Sequence, residues 1–408
     1  MGGVERIDGG PRSAIVVGAG IVGLSTAWFL QDRGIEVTVV DRTGVAAGAS
    51  WGNAGWIAPG LICPLNSPGL LRHGLRALRD PATPLHLPSA ADCRRSSRKR
   101  ALRATVALNE ECIEAFDVLI GNGVDAPVTD APITAVFPAA KEAQHMLWQL
   151  QQLENAGQTT YVTGLSGEAL REQVPLAAPA VTAGLNINAQ RFVDPRRFVE
   201  ALGRSVVARG AVMQRVEIRD VLSSASGVAV YPHRGRPLTA DVAVIATGAR
   251  LSRLANRWLR VPVQAGHGYS FSVPVDRPMT GPIYLPGARV MCTPYKGAMR
   301  VSGTTQFHRP RDPFAPERVE ALVVAAARLL DGVRWAERSD LWAGACAVTA
   351  DGRPLIGEVS PGVYLAGGHG MWGLAHGPVT GRLLAEHIST GKQPEPLTEF
   401  DPLRRSGH

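Results

Sequence analysis

The sequence predicts an α/β fold, α+β overall, in which a parallel strand–helix unit is interleaved with a mainly antiparallel sheet. Three observations carry this. Ala14–Arg42, AIVVGAGIVGLSTAWFLQDRGIEVTVVDR, reads as strand, glycine turn, helix and strand. Residues 268–307 alternate apolar and polar groups between turns at Pro286-Gly287 and Lys296-Gly297, which is the period of antiparallel strands. The end of the chain returns to strand, turn and helix, with Val363–Ala366, then Gly367-Gly368-His369-Gly370, then Gly377–Ile388.

The first stretch is the most specific. Strand Ala14–Val17 turns on Gly18, Gly20 and Gly23, a helix runs to about Arg33 and stops at Gly34, and strand Val37–Val40 ends at Asp41. Each part suits a dinucleotide. Gly18 allows the tight turn, Gly20 lets backbone approach a pyrophosphate, and Gly23 lets helix and strand pack. The helix start, carrying Ala19, Ile21 and Val22, offers unpaired N–H groups to phosphate. Asp41 can accept from a ribose diol.

Length and composition narrow the class. At 408 residues, two closely packed domains are expected, and 45% hydrophobic with 19% charged residues excludes a disordered chain. No stretch is long and apolar enough for a spanning helix, and MGGVERIDGGPRS lacks the apolar core of a secretion signal, so a cytoplasmic protein is expected. Cys63, Cys93, Cys112, Cys292 and Cys346 show no metal-ligand or disulfide spacing, so no metal is expected. The net charge of +8 is partly local: Arg94, Arg95, Arg98, Lys99, Arg100 and Arg103 follow Arg72, Arg76 and Arg79. This run reads as a solvated face, with peripheral membrane contact as the alternative. No aromatic platform accompanies it, which argues against nucleic acid.

Further along, the small residues of 45–60 let backbone pass close to a flat ligand, with Ser50 and Asn53 free to hydrogen-bond it. Residues 64–100 are irregular and rich in proline and arginine. Helices are expected over 103–122, 141–156, 165–175, 195–208 and 316–331. A strand pair is expected at Val212–Val221 and Val228–Tyr231, and strand Val242–Ile245 enters a small-residue turn at Ala246-Thr247-Gly248.

Together these residues resemble the FAD-dependent D-amino acid oxidoreductases, the family of D-amino acid oxidase, glycine and sarcosine oxidases and bacterial D-amino acid dehydrogenase. The likeness spans about residues 13–393. It rests on the fingerprint with Asp41-Arg42, on Ser50-x-x-Asn53-Ala54-Gly55, on His267-Gly268-Tyr269-Ser270, and on TADGRPLIGEVSPGVYLAGGHGMWGL at 349–374. The Asn-Ala-Gly and Gly-Tyr-Ser elements lean toward the dehydrogenase branch. The resemblance implies a Rossmann-like FAD-binding domain (residues 12–90, 188–265 and 341–395) interleaved with a substrate domain (91–187 and 266–340). It implies FAD held by Asp41 and Arg42 at the ribose, by Ala49 and Ser50 at the phosphates, and by backbone near Ile218 at the adenine. The flavin would lie against Ala246–Gly248 and Gly368–Leu374, that is Gly368, His369, Gly370, Met371, Trp372, Gly373 and Leu374. It also implies oxidation of a substrate amine by hydride transfer to flavin N5, the imine then hydrolysing.

The chain departs from this family where substrate is held. The usual carboxylate-binding arginine, five residues before Asp351, is Cys346, and the positions of a family tyrosine and a second arginine are Met291 and Met371. Arg300 is the candidate replacement cation, with a surface arginine as the alternative. Tyr269, Met291, Met371 and Trp372 suggest a roomy apolar pocket for a bulky amine or modified amino acid. His369 is expected to act through its backbone. A cysteine that tethers flavin in sarcosine-oxidase relatives corresponds to Gly344, so FAD is expected to be non-covalent. Val301 stands where oxygen-reactive relatives place a lysine, which favours a quinone or other acceptor over oxygen. An oxidase of secondary amines or imino acids and a non-catalytic flavin-binding subunit remain the alternatives.

Overall fold

The computed structural model describes residues 10–62, 85–86, 95–224, 226–307 and 314–405. Arg72, Arg76, Arg79 and Arg94 of the basic run, Cys63, Cys93 and residues 64–84 and 87–94 of the segment expected to be irregular lie outside the described residues, while 95–100 are helical and open the helix Arg95–Gly121, earlier than the expected start at 103.

A six-stranded sheet has the order Val212–Arg215, Glu36–Asp41, Ser13–Val17, Val242–Ile245, Val363–Gly367, Leu355–Ser360. Every pairing is parallel except the last. Both faces are covered, which explains the continuous apolar runs. Ala14 and Val16 pack with the helices Ile21–Asp32, Pro195–Ala208 and Gly373–Thr390. Ile15 and Val17 face the other way, onto a three-stranded antiparallel sheet that contributes Val221 and Val230. The helices Ile21–Asp32 and Gly373–Thr390 touch backbone to backbone, since a Cβ on Gly381 would lie 2.6 Å from Thr26 N.

The second large sheet has nine strands. Ser339–Thr349, Val263–Val273, Ala298–Phe307, Val290–Tyr295 and Ile283–Leu285 continue into Ile133–Phe137, Ala183–Ile187 and Val162–Leu165, with Leu85–His86 beside Ala298–Phe307. One face carries Phe271, Val273, Met299 and Val301 against Val319, Leu322 and Val323 of the helix Pro316–Ala327. The opposite face looks toward the first sheet and carries the polar members of the same strands.

The mixed fold class is as the sequence predicts, while several boundaries move. The expected strand Val212–Val221 is two strands: Val212–Arg215 closes the edge of the parallel sheet, and Ile218–Ser224 pairs with Gly227–Pro232. The last helix begins at Gly373, four residues earlier than expected, directly after the short turn Gly370–Trp372, and carries Pro378 within it. The strands at 133–137, 162–165, 183–187 and 339–349 were not expected; their partners are distant in sequence. Helix Pro195–Ala208 starts as read, its Asp194 carboxylate accepting from the N–H groups of Arg196 and Arg197 at 3.1 Å. Among the described residues, no helix is long and apolar enough to cross a membrane.

Candidate functional site

A cavity of about 680 Å³ runs from the glycine turn of the parallel sheet to the inner face of the antiparallel sheet. Of the residues expected from sequence to hold cofactor or substrate, all but Ala19, Gly23, Gly55 and Arg300 line it. Those four act behind the wall. Gly23 packs on the Gly18 carbonyl, and Gly55, at φ +84°, packs on the carbonyl of Val193.

At the first end, Asp41 organises the turn. Its Oδ2 accepts from Ala19 N–H (3.0 Å), and its Oδ1 accepts from Thr43 N–H, Thr43 Oγ1 and Gly44 N–H at 2.7–3.0 Å. Oδ1 is therefore filled, and Oδ2 keeps acceptor capacity toward the cavity. Ser50 Oγ accepts from Ile21 N–H at 3.1 Å, tying the small-residue loop to the helix start. Glu217 pairs with Arg250 and Arg253 at 3.3 and 2.8 Å; all three line this end, and no local motif marked them. Thr247 Oγ1 is buried, faces the same cavity and has no partner among the described residues, which is a donor waiting for a ligand.

The loop Trp51–Gly55 is clipped to the antiparallel sheet by two parallel relays. Arg300 Nη2 donates to Ser270 Oγ (2.8 Å), and Ser270 Oγ donates to the Gly52 carbonyl (2.9 Å). Trp56 Nε1 donates to Thr293 Oγ1, which donates to the Ala54 carbonyl, each at 2.8 Å. Arg300 and Thr293 are register partners on adjacent strands. Arg300 is thus neither a surface arginine nor a cavity wall: it is 2% exposed, between Trp51 and Tyr295 at 5.5 and 5.4 Å. Burial pulls its pKa down, yet a guanidinium stays charged. Ser270→Ala removes its best partner and should cost about 1–3 kcal/mol of stability. Adding Arg300→Met removes the stranded charge, so the double variant should melt no lower than Ser270→Ala alone. Additive losses in melting temperature would contradict the relay.

The other end is apolar and aromatic. Tyr269, Tyr284, Met291, Phe314, Trp342, Met371 and Trp372 line it. Trp342 was not read from the sequence. Its indole lies over Gly344 and Gly52, where a Cβ would sit 1.9 and 2.0 Å from the ring, so two distant glycines make its berth. Cys346 is half-buried; burial pushes its thiol up to about 11, and its Sγ donates to the Gly266 carbonyl at 3.2 Å. It is a thiol, not a thiolate nucleophile. His369 Nε2 meets Thr380 Oγ1 at 2.9 Å, and burial lowers its pKa to about 4, so the ring is neutral at physiological pH. His376, behind it, is lowered to about 3 by burial and bonds Asn109 Oδ1 at 2.8 Å. Val301 lies in the helix-covered core and does not line the cavity, so its identity says nothing about oxygen reactivity.

A sheet-embedded glycine turn, a carboxylate at the end of the second strand and a cavity reaching a second sheet define a dinucleotide-dependent enzyme. The model of the family described as FAD dependent oxidoreductase matches residues 13–387, and the chain belongs to that family. It is an FAD-dependent oxidoreductase. The chain is similar to D-amino acid dehydrogenase of Vibrio vulnificus strain YJ016, 27% identical over 421 aligned residues, covering 96% of this chain and 99% of the relative. Among solved structures it is similar to glycine oxidase from Bacillus cereus ATCC 14579, with a TM-score of 0.74, 22% identity and coverage of 97% and 100%. It is also similar to L-proline dehydrogenase from P. horikoshii, with a TM-score of 0.75, 18% identity and coverage of 97% and 98%. These two structures speak for the fold.

Proposed function

We propose that this chain oxidises a C–N bond of an amine or amino-acid-like substrate. One observation carries the reading: a single cavity joins the dinucleotide turn to a wall of aromatic and thioether side chains on the antiparallel sheet. The names of the similar proteins, a D-amino acid dehydrogenase, a glycine oxidase and an L-proline dehydrogenase, support it.

The residues fit FAD. Only Ser50 Oγ comes within 4 Å of a Cβ built on Gly20, leaving the cradle open that a pyrophosphate needs. Asp41 Oδ2 and Arg42 would meet the ribose, Ala49 and Ser50 the phosphates, and Glu217–Ile218 the adenine. Ala246–Gly248 with the orphan Thr247 hydroxyl, and Gly368–Leu374, would hold the flavin. Bound FAD supplies the acceptor for the hydride leaving the carbon beside the substrate nitrogen, and water then hydrolyses the imine. The start of the helix Gly373–Thr390 opens on the cavity, so its N–H groups favour negative charge there. His369 and Cys346 are neutral and hydrogen-bonded, so orientation by the apolar wall, not acid–base chemistry, does the chain's part.

The test is anaerobic reduction of the bound flavin by a panel of amines and D- and L-amino acids. Rapid bleaching of the flavin absorbance by at least one is expected, and none bleaching it would leave a flavin-binding subunit. Peroxide formed in air would assign the electrons to oxygen, and its absence to a quinone-type acceptor. With Gly344 at the tether position and Cys346 a protonated thiol, acid precipitation should leave the yellow colour in the supernatant. Colour in the pellet would show a covalent link.

A further inference from the structure

We propose that Arg289 and Ser302 form the anchor for a carboxylate on the substrate, so that the substrate is an amino or imino acid whose acid group docks at the strand turn and not beside Cys346. The proposal rests on the amine-oxidising reading above. The charged side chains lining the cavity divide sharply. Asp41, Arg42, Glu217, Arg250 and Arg253 belong to the dinucleotide end, where Glu217 pairs two of the arginines. At the sheet end, whose lining includes Tyr284, Met291 and Phe314, Arg289 is the one charged side chain among the described residues. It is half-buried and has no carboxylate partner among the described residues. A guanidinium placed in an apolar wall without a counter-charge is costly, and a bound anion relieves that cost.

A second observation points to the same ligand. Ser302 is 5% exposed, lines the cavity, and its Oγ has no partner among the described residues. Ser302 is the register partner of Met291, and Arg289 stands two residues before Met291, in the turn that leads into that strand. The Arg289 carbonyl in turn lies 3.1 Å from where a Cβ on Gly303 would be, so the two elements that carry these donors are in contact. Arg289 is held at φ +55°, a left-handed conformation that an arginine seldom adopts and that fixes where its side chain leaves the Pro286-Gly287 turn. A forked guanidinium and a hydroxyl complement the two oxygens of one carboxylate. This supplies the cation that Cys346 does not.

Benzoate, which cannot be oxidised as an amine, and its neutral analogue benzamide are titrated into the FAD-loaded protein while the flavin spectrum is followed. Benzoate is expected to bind wild type, and Arg289→Met to weaken it by about 10- to 150-fold. Arg289→Lys should recover part of that loss, Ser302→Ala should give a smaller one, and benzamide should be indifferent to all three. In steady state, Arg289→Met should raise KM for an amino acid far more than it lowers kcat, and far more than it raises KM for the matching decarboxylated amine. Equal benzoate affinity in Arg289→Met, an equal loss for benzamide, or no benzoate binding to wild type overturns the proposal. Failure of every amine to bleach the flavin would instead sink the amine-oxidising reading, and the benzoate titration is independent of that.

Discussion

Gly18→Ala is expected to purify without FAD, and Gly20→Ala to fold normally yet bind FAD weakly. The two glycines are two residues apart in one motif, but the physics at each differs. Gly18 has φ +120°, a conformation essentially closed to alanine, and a Cβ there would lie 2.3 Å from the carbonyl oxygen of Ala246. That carbonyl cannot retreat. Ala246 N–H is bonded to the Val17 carbonyl at 2.8 Å, and the strand Val242–Ile245 is laddered to Ser13–Val17 on one side and to Val363–Gly367 on the other. Backbone strain of about 1–3 kcal/mol adds to a backbone clash, so a total above about 4 kcal/mol is expected. Gly20 has φ −84°, which alanine adopts freely, and its Cβ would meet only Ser50 Oγ, at 3.4 Å. The apoprotein of Gly20→Ala should therefore melt like wild type. Its methyl group enters the cradle, and overpacking of this kind weakens a ligand by roughly tenfold or more. The ratio of flavin to protein absorbance after purification, the apoprotein melting temperature and an FAD titration separate the two. Wild-type FAD content in Gly18→Ala, or a destabilised apoprotein in Gly20→Ala, would contradict this division of labour.

The same pair shows why some of the site was legible in sequence and some was not. The fingerprint was readable because its logic is local: strand, turn and helix start lie within ten residues, and Asp41 follows at the end of the next strand. The late turn at Gly367–Gly370 was readable for the same reason. Arg289 carries no such mark. It is one arginine after a Pro-Gly turn, and the role proposed for it comes from Ser302 lining the same cavity and from its lacking a carboxylate partner among the described residues, both tertiary facts. Trp342 is placed by Gly52 and Gly344, far apart in sequence. Arg300 was read as a cavity or surface cation because alternation along a strand tells which face a residue takes, not what covers that face. The covering loop comes from residues 51–55. The antiparallel sheet was half-read, since strands 133–137 and 183–187 join it through partners about 50 residues apart or more.

Asp351→Ala should be the most destabilising single change outside the cavity, though its Asp-Gly motif reads from sequence like part of the site. Asp351 does not line the cavity; it is the hub of a buried ionic cluster. Its carboxylate takes Arg404 Nε and Nη2 at 2.8 and 3.0 Å and Arg353 Nε and Nη2 at 3.2 and 3.1 Å. Arg353 also reaches Glu399 at 2.7 Å, and Glu399 pairs with Arg100 of the helix Arg95–Gly121 at 2.6 Å. The cluster thus pins residues 399–404 and that helix to the turn at 350–354. The turn in turn backs the cavity: Thr349 Oγ1 donates to the Arg353 carbonyl at 2.8 Å, and Thr349 Cγ2 is the atom nearest a Cβ on Gly368, at 2.8 Å. Removing the carboxylate leaves two buried guanidinium groups facing one another, a loss of about 3–5 kcal/mol. For 408 residues unfolding together that is roughly 4–6 °C in melting temperature. FAD affinity should fall as well, because the Gly368 turn loses its support. The pH dependence has a definite sign. Burial works to raise the Asp351 pKa, but hydrogen bonds and charge from Arg404, with Arg353, override it and hold the carboxyl below its ordinary value. A depressed folded-state pKa contributes stability that is present above the unfolded pKa of about 3.9 and lost as pH falls through the folded one. Wild type should therefore shed this increment only below about pH 4, and the gap between wild type and Asp351→Ala should be constant from pH 6 to 8 and narrow in acid. A gap that widens in acid, or a variant that melts with wild type at neutral pH, would show that the cluster contributes no net stability.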